Sequence, residues 1–339
     1  MKMRPWRSAL IGFGKIAAGY SADPRQLASY RYSTHVQVLK DHPAFDLQLV
    51  VDPAESARFN AKDVWQVPVT VAHIRDYHGA NEIEIAIVAT PPEARLELLE
   101  SMPNLRAILL EKPLGVDLIE ARKFLDACNS RNIKVAVNLP RRYDSTMKAF
   151  AEGGLTSRWG LPQAVFGVYG NGLRNNGTHL IDLIRMLFGE VKGLSVPSHA
   201  LRFSESPLNF DCNIPFSLVM ESGLCVLAQP LSFQHYREVG LDIWCKQGRV
   251  QLLNETLTCH FSPRSDSRQL TGSFEIAHEL QECFQMALST AMYAAYDNLN
   301  RVLTVDEPLE CSGEEAYRTM EVIEALMVLS IPSGDKKFV

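Results

Sequence analysis

Ala107-Ile108-Leu109-Leu110 is an unbroken apolar run that ends at once in an acid, a base and a proline, Glu111-Lys112-Pro113. A short run with no polar alternation suits a strand buried on both faces, as in a parallel sheet. Pro113 has no N–H with which to extend the ladder. The strand therefore delivers a charged pair to its carboxyl end. In an open α/β sheet, that edge is where ligands bind. The chain around this strand must supply covered faces, and Lys112 stands where a cleft can begin.

The preceding residues supply them. Residues 7–11 read as a first strand that runs into Gly12-Phe13-Gly14-Lys15-Ile16-Ala17, a G-x-G-x-x-A turn. The basic start, Met1–Arg7, leads into an apolar stretch too short and too glycine-broken for a signal peptide. In such a turn the first glycine permits the tight bend and the second lets main chain approach a pyrophosphate. The small third residue lets a helix pack close to the strand. The expectation is a dinucleotide site on Gly12, Phe13, Gly14, Lys15 and Ile16, with a helix N-terminus facing the anion. An incidental glycine-rich turn is the alternative.

That helix is expected to break early at Gly19–Pro24 and to resume near Thr34–Leu39. The insertion at residues 20–33 carries Tyr20, Tyr30 and Tyr32. It reads equally as a flap over a cleft or as a surface loop packing its own aromatics. Phe45–Asp52 is a second strand. Asp52 at its end can accept hydrogen bonds from ribose hydroxyls and repels a 2′-phosphate, which favours NAD over NADP. Gly12 and Asp52 lie further apart than the usual span of about 20 residues, and the insertion accounts for part of the excess.

Strands follow at 67–69, 83–90, 107–110 and 135–138, with helices at 92–101 and 117–130. Thr90 and Pro91, Glu111 and Lys112, and Asn138 would all sit at strand carboxyl ends beside a bound cofactor. This alternation predicts a doubly wound parallel sheet over residues 1–140. After that the pattern changes. Strands at 163–170, 215–221, 223–231, 239–245, 248–253 and 256–261 predict a mostly antiparallel sheet in an α+β domain over 141–339. Helices are expected at 178–188, 275–300 and 313–330.

Tyr169–Asp182 is the second stretch rich in polar chemistry. His179 opens a helix whose core face is Leu180, Leu183, Ile184 and Leu187. A helix start disfavours the charged imidazole, and a neutral ring can serve as a general base. Asn175 could orient it. A capping or core histidine bonded to Asn175 or Asp182 fits as well. His179 with Asp182 has no third metal ligand nearby in sequence, so no metal is expected.

Composition narrows the field. The 339 residues suit two domains, and 46% hydrophobic with 22% charged residues is ordinary for a globular chain. A net charge of −5 without a basic block argues against a nucleic-acid partner. No stretch is long enough to span a membrane. Seven cysteines without a CxxC pair suit a reducing cytoplasm.

The G-x-G-x-x-A turn, Thr90-Pro91-Pro92, Glu111-Lys112-Pro113 and Gly177-x-His179-x-x-Asp182 occur in one order. Together they resemble the glucose–fructose oxidoreductase/inositol dehydrogenase (Gfo/Idh/MocA) family. The resemblance implies a Rossmann domain, an open-faced sheet domain, and an NAD-dependent dehydrogenase acting on CH–OH of a sugar, polyol or nucleotide-linked sugar. It implies a catalytic Lys112 and an acid/base His179 that converge beside a nicotinamide. It also implies a homodimer or homotetramer paired through the sheet. The family often carries Asp where Asn175 stands, and an amide cannot stabilise an imidazolium by charge. Arg142, Tyr143, Tyr169, Asn171, Arg174, Asn176 and Asp182 are the candidate substrate contacts. A catalytically silent NAD(P)-binding regulator on the same fold is the alternative.

Overall fold

The computed structural model describes residues 4–92, 95–197 and 203–330, and the chain in it forms two compact units. The first runs to Tyr143 and takes back Leu288–Tyr317; the second is Asp144–Ala287 with the chain from Arg318 onward. The sequence grouping had kept everything after residue 140 together. The returning segment joins the first unit because its helix Ala291–Val305 has an apolar face, Met292, Tyr296 and Leu299, that packs with Leu10, Val50, Ile85 and Leu109.

Six strands form the first sheet: β1 (Trp6–Ile11), β2 (Phe45–Val51), β3 (Val69–Val71), β4 (Ile85–Val88), β5 (Ala107–Leu110) and β6 (Lys134–Val137). Their order is β3-β2-β1-β4-β5-β6, and every pairing is parallel. All residues of β4 and β5 are buried, as the apolar runs require of strands covered on both faces. The expected strand at 67–69 lies two residues later, and 83–90 forms a ladder only over 85–88. Of the helix expected at 92–101, Arg95–Ser101 is helical, and residues 93–94 lie outside the described residues. The helix Leu118–Ser130 starts where Asp117 caps the amide of Glu120 and buries Ala121, Phe124, Leu125 and Cys128.

The first crossover departs from expectation. No α-helix follows the glycine turn directly. One helical turn forms, with Ala18 and Gly19 amides on the Gly14 carbonyl at 2.9 and 3.1 Å, and the chain then leaves. It runs through Gly19–Ala22 and a short helix, Pro24–Ser29, and re-enters as the helix His35–Asp41. The His35 and Val36 amides donate to the carbonyls of Ile16 and Ala17 at 3.1 and 3.0 Å. Carbonyls at the end of a helical turn need donors, and here a second segment supplies them. The insertion thus splits one helix in two. Its Tyr32 packs on Tyr293 at 5.1 Å and donates to Asp41.

The second unit holds β7 (Pro162–Gly170), β8 (Val191–Ser195), β9 (Phe216–Met220), β10 (Cys225–Leu231), β11 (Gly240–Cys245), β12 (Gly248–Leu253), β13 (Thr258–Asp266), β14 (Phe274–Ile276) and β15 (Glu282–Gln285). The order is β14-β13-β12-β11-β7-β10-β9-β8, with β15 also on β13. Only β7 with β10 is a parallel pair. The helix expected over 275–300 is instead β14, β15 and then Ala291–Val305. Pairing of 282–285 with β13 overrides the apolar count there.

One face of this sheet packs against the helix Thr178–Phe188 through Val165, Tyr169, Leu180 and Ile184. The other carries Phe166, Leu227, Val219 and Trp244, between 38% and 52% exposed. Register places Phe166 beside Leu227 and Val219 beside Cys225. No helix among the described residues is long and apolar enough to cross a membrane.

The seven cysteines are free thiols. Burial pushes the thiols of Cys128, Cys245 and Cys259 up to about 12, which removes the reactive thiolate at neutral pH. Cys225 and Cys283 are exposed. A maleimide should therefore modify Cys225 and Cys283 in the native protein and reach the three buried thiols only after unfolding. Mass mapping that finds all of them labelled at one rate would contradict this packing.

Candidate functional site

Because the first sheet is all parallel, the carboxyl ends of its strands share one edge. Gly12 follows β1, Asp52 follows β2, Thr90 lies just past β4, Glu111 and Lys112 follow β5, and Asn138 follows β6. The strand order sets β1 beside β4 and β5 beside β6.

Gly12 has φ +87°, and a Cβ there would lie 2.8 Å from Thr90 Cγ2 and 3.0 Å from the Ala89 main chain. The turn therefore requires glycine. Gly14 is different, since a Cβ on it would meet nothing within 4 Å, so the main chain there is open to a ligand's close approach. The Asp52 carboxylate accepts from the Phe13 amide at 2.7 Å and from the Ala54 amide at 2.8 Å. It thereby clamps the glycine turn to the end of β2. Arg58 donates to the carbonyls of Asp52 and Pro53 at 2.9 and 2.8 Å. Lys15 and Ile16 lie in the truncated helical turn, with the Lys15 carbonyl accepting from Tyr20 and that of Ile16 from His35.

Glu111 is the most constrained group on this edge. Its carboxylate takes His35 Nε2 at 2.9 Å and Asn138 Nδ2 at 2.6 Å. Arg95, 3% exposed, donates to the carbonyls of Glu111 and Leu114 and so brackets Lys112 and Pro113. His35 Nδ1 lies 2.9 Å from the Tyr296 hydroxyl. None of His35, Arg95 and Tyr296 stood out in the sequence, because each reaches this edge from a remote segment. Asn138 Oδ1 is buried and has no hydrogen-bond partner.

An open main chain at Gly14, an acid at the end of β2 and an unfilled acceptor at Asn138 fit a dinucleotide along this edge. Gly12 to Ile16 and Asp52 would hold its pyrophosphate and ribose portions. Thr90, Pro91, Glu111, Lys112 and Asn138 would border the ring that reacts.

In the second unit, His179 is the second residue of the helix Thr178–Phe188 and is half-buried. The loop before it is held by two buried side chains. Asp211 accepts from the amides of Arg174 and Asn175 at 2.9 and 3.1 Å, and Asn213 accepts from the Gly172 amide at 2.9 Å. Nothing in the sequence around Asp211-Cys212-Asn213 announced this role. The Asn175 amide donates to the Asn171 carbonyl at 3.0 Å. Asn171 takes φ +60°, and Asn176, 8% exposed, keeps an unpartnered Nδ2.

Several expected substrate contacts are engaged within the fold. Tyr169 is fully buried and exchanges two hydrogen bonds with the Ile214 main chain at 2.6 and 3.0 Å. Arg174 makes a bidentate pair with Glu324, both bonds at 2.7 Å. Asp182, 1% exposed, accepts from Thr319 at 3.1 Å. In the first unit, Arg142 is buried against Glu315 at 3.3 Å, and buried Tyr143 donates to the Val137 carbonyl. Among the described residues no group of three metal-ligating side chains occurs.

Residues 7–139 match the model of an oxidoreductase family with an NAD-binding Rossmann fold, Gfo/Idh/MocA. No curated protein matches the chain. Among solved structures, an oxidoreductase from Agrobacterium radiobacter in complex with NAD+, L-tartaric acid and magnesium is 14% identical, with TM-score 0.71 over 96% of each chain. The UDP-N-acetylglucosamine 3-dehydrogenase of Acidithiobacillus ferrooxidans is 14% identical, with TM-score 0.69 over 96% of this chain and 98% of that one. A super-repressor mutant of Gal80p from Saccharomyces cerevisiae is 12% identical, with TM-score 0.72 over 96% of each chain. At these identities the likeness is one of fold.

The two glycines should separate stability from binding. Gly12→Ala should destabilise the protein by about 1–3 kcal/mol, the usual cost of a strained backbone position. Gly14→Ala should leave the melting temperature near wild type and weaken NADH binding, read by fluorescence titration. Equal behaviour of the two variants in both assays would refute the assignment.

Proposed function

The domain at residues 7–139 belongs to the Gfo/Idh/MocA oxidoreductase family, and on that premise we propose that the protein is an NAD-dependent dehydrogenase of a sugar, polyol or nucleotide-linked sugar. The observation that carries the reading is the shared carboxyl edge. An open glycine turn clamped by Asp52 and a rigidly held Glu111-Lys112 strand end lie on one side of one parallel sheet. The sugar-nucleotide dehydrogenase among the structural neighbours supports the substrate class.

Bound NAD would supply the hydride acceptor or donor for the carbinol carbon. Lys112 donates to the reacting oxygen and stabilises alkoxide character as it develops. His179 takes the hydroxyl proton in oxidation and returns it in reduction. Asn171 and Asn176 remain loop residues assigned to substrate hydroxyls, and Asn175 the residue assigned to orient the His179 ring. The free thiols fit a reducing cytoplasm.

A second reading has one observation behind it. Asn175 stands where the family often has Asp, and an amide gives an imidazolium no charge partner. A silent cofactor-binding regulator would tolerate that change, and a super-repressor is among the proteins of similar fold. Exposed Phe166, Leu227, Val219 and Trp244 support self-association through the open sheet face.

A panel of sugars, inositols and nucleotide sugars with NAD, followed at nicotinamide absorbance, decides between the readings. Lys112→Ala and His179→Ala should each lower turnover by about 10²-fold or more with NADH affinity kept. Near-normal turnover in either removes that residue from the mechanism, and no turnover across the panel despite tight NADH binding favours the regulator. Leu227→Glu with Phe166→Glu should shift the mass in light scattering to that of a monomer; an unchanged mass would move the interface elsewhere.

A further inference from the structure

Four side chains from four separate segments form one buried hydrogen-bonded chain: Tyr296, His35, Glu111 and Asn138. His35 and Tyr296 are 0% exposed, and Asn138 is 5% exposed. Chemistry fixes the direction of each bond. Burial and the nearby Glu111 charge hold the Tyr296 phenol well above its ordinary value, so it keeps its proton and donates. His35 Nδ1 then accepts, and Nε2 carries the hydrogen that goes to the Glu111 carboxylate. Asn138 Nδ2 supplies a second donor to the same oxygen, Oε1. Every ring nitrogen is satisfied with neutral imidazole.

The bonds from His35 and Asn138 converge on Glu111, the residue next to Lys112. The main chain there is gripped as well, because the Arg95 guanidinium donates to the carbonyls of Glu111 and Leu114. Side chain and backbone are thus fixed from opposite directions around a single exposed-edge turn. A strand end that only needed to stop would not require a polar relay through the core, since each buried polar group must be fully paired or it destabilises.

We propose that Tyr296, His35 and Asn138 are positioning residues that hold Glu111, and through it set the placement of the Lys112 amine at the cofactor edge. This rests on the role assigned to Lys112 above. The helix Ala291–Val305 is then part of the active-site scaffold. Its Tyr296 reaches the sheet edge through His35, the first residue of the resumed helix.

The test reads Lys112 directly, in the full-length protein without cofactor. Acetylation by acetic anhydride at fixed pH is quantified peptide by peptide in wild type and in His35→Leu, His35→Gln, Tyr296→Phe and Glu111→Gln. A glutamine amide can accept from Tyr296 and donate to Glu111 as the imidazole does, without titrating. His35→Leu and Glu111→Gln should raise Lys112 acetylation about ten-fold, as loss of a hydrogen bond to a charged group allows, with His35→Gln within about two-fold of wild type. Tyr296→Phe should fall between. The other lysines should not change, and thermal unfolding identifies variants that remain folded. If His35→Leu fails to fold, Glu111→Gln, Tyr296→Phe and His35→Gln decide. Unaltered Lys112 acetylation in the folded variants overturns the proposal, as does His35→Gln behaving like a relay-breaking variant. NADH titration of the same proteins keeps the two readings apart. A Lys112 response in the variants, with no NADH binding by the wild-type protein, removes the dehydrogenase and leaves the positioning. Normal NADH binding without a Lys112 response does the reverse.

Discussion

Glu111 is an acid placed by an otherwise apolar strand at the rim of a buried sheet, and the arrangement of this whole edge follows from how that acid is satisfied. A carboxylate withdrawn from water needs donors. His35 and Asn138 provide them, Tyr296 backs His35, and Arg95 holds the adjoining carbonyls. These partners come from the resumed helix at residue 35, the end of β6, the helix beginning at Arg95 and the late helix Ala291–Val305. One side chain therefore ties together segments from both ends of the chain. This also explains why Leu288–Tyr317 returns to the first unit rather than staying with the strands that precede it.

The parallel register gives that edge its chemical content. Strands that all run one way bring their carboxyl ends to the same side, so residues scattered from Gly12 to Asn138 share a rim without being close in sequence. The glycine turn works there without an uninterrupted helix behind it. The Ile16 and Ala17 carbonyls find their donors in His35 and Val36, so helical hydrogen bonding continues across a break in the chain. An insertion is tolerated at that point because it leaves the turn and the strand pairing untouched.

The second unit shows how polar residues near a proposed site can belong to the fold. Tyr169, Arg174 and Asp182 lie in the stretch around His179, yet each is bonded to main chain or to a partner side chain. Their order in sequence suggests a cluster of substrate contacts. Tyr169 and Asp182 are buried and Arg174 is tied to Glu324, so all three are engaged within the second unit. The loop Asn171–Asn176 between them is kept in shape by Asp211 and Asn213, with Asn171 and Asn175 only partly buried.

The sequence alone determined what depends on local pattern. Unbroken apolar runs gave the parallel strands, alternation gave the antiparallel sheet, and glycine spacing gave the turn after β1, because periodicity and backbone sterics act over a few residues. It misjudged the helix at 275–300, where pairing with β13 overrides composition. It was silent on His35, Arg95, Tyr296, Asp211 and Asn213. A buried polar residue acquires its role from partners that may be over two hundred positions away, as Tyr296 is from His35. Only the tertiary structure could reveal those partners, since hydrogen bonding is set by distance in space and leaves no period in the chain.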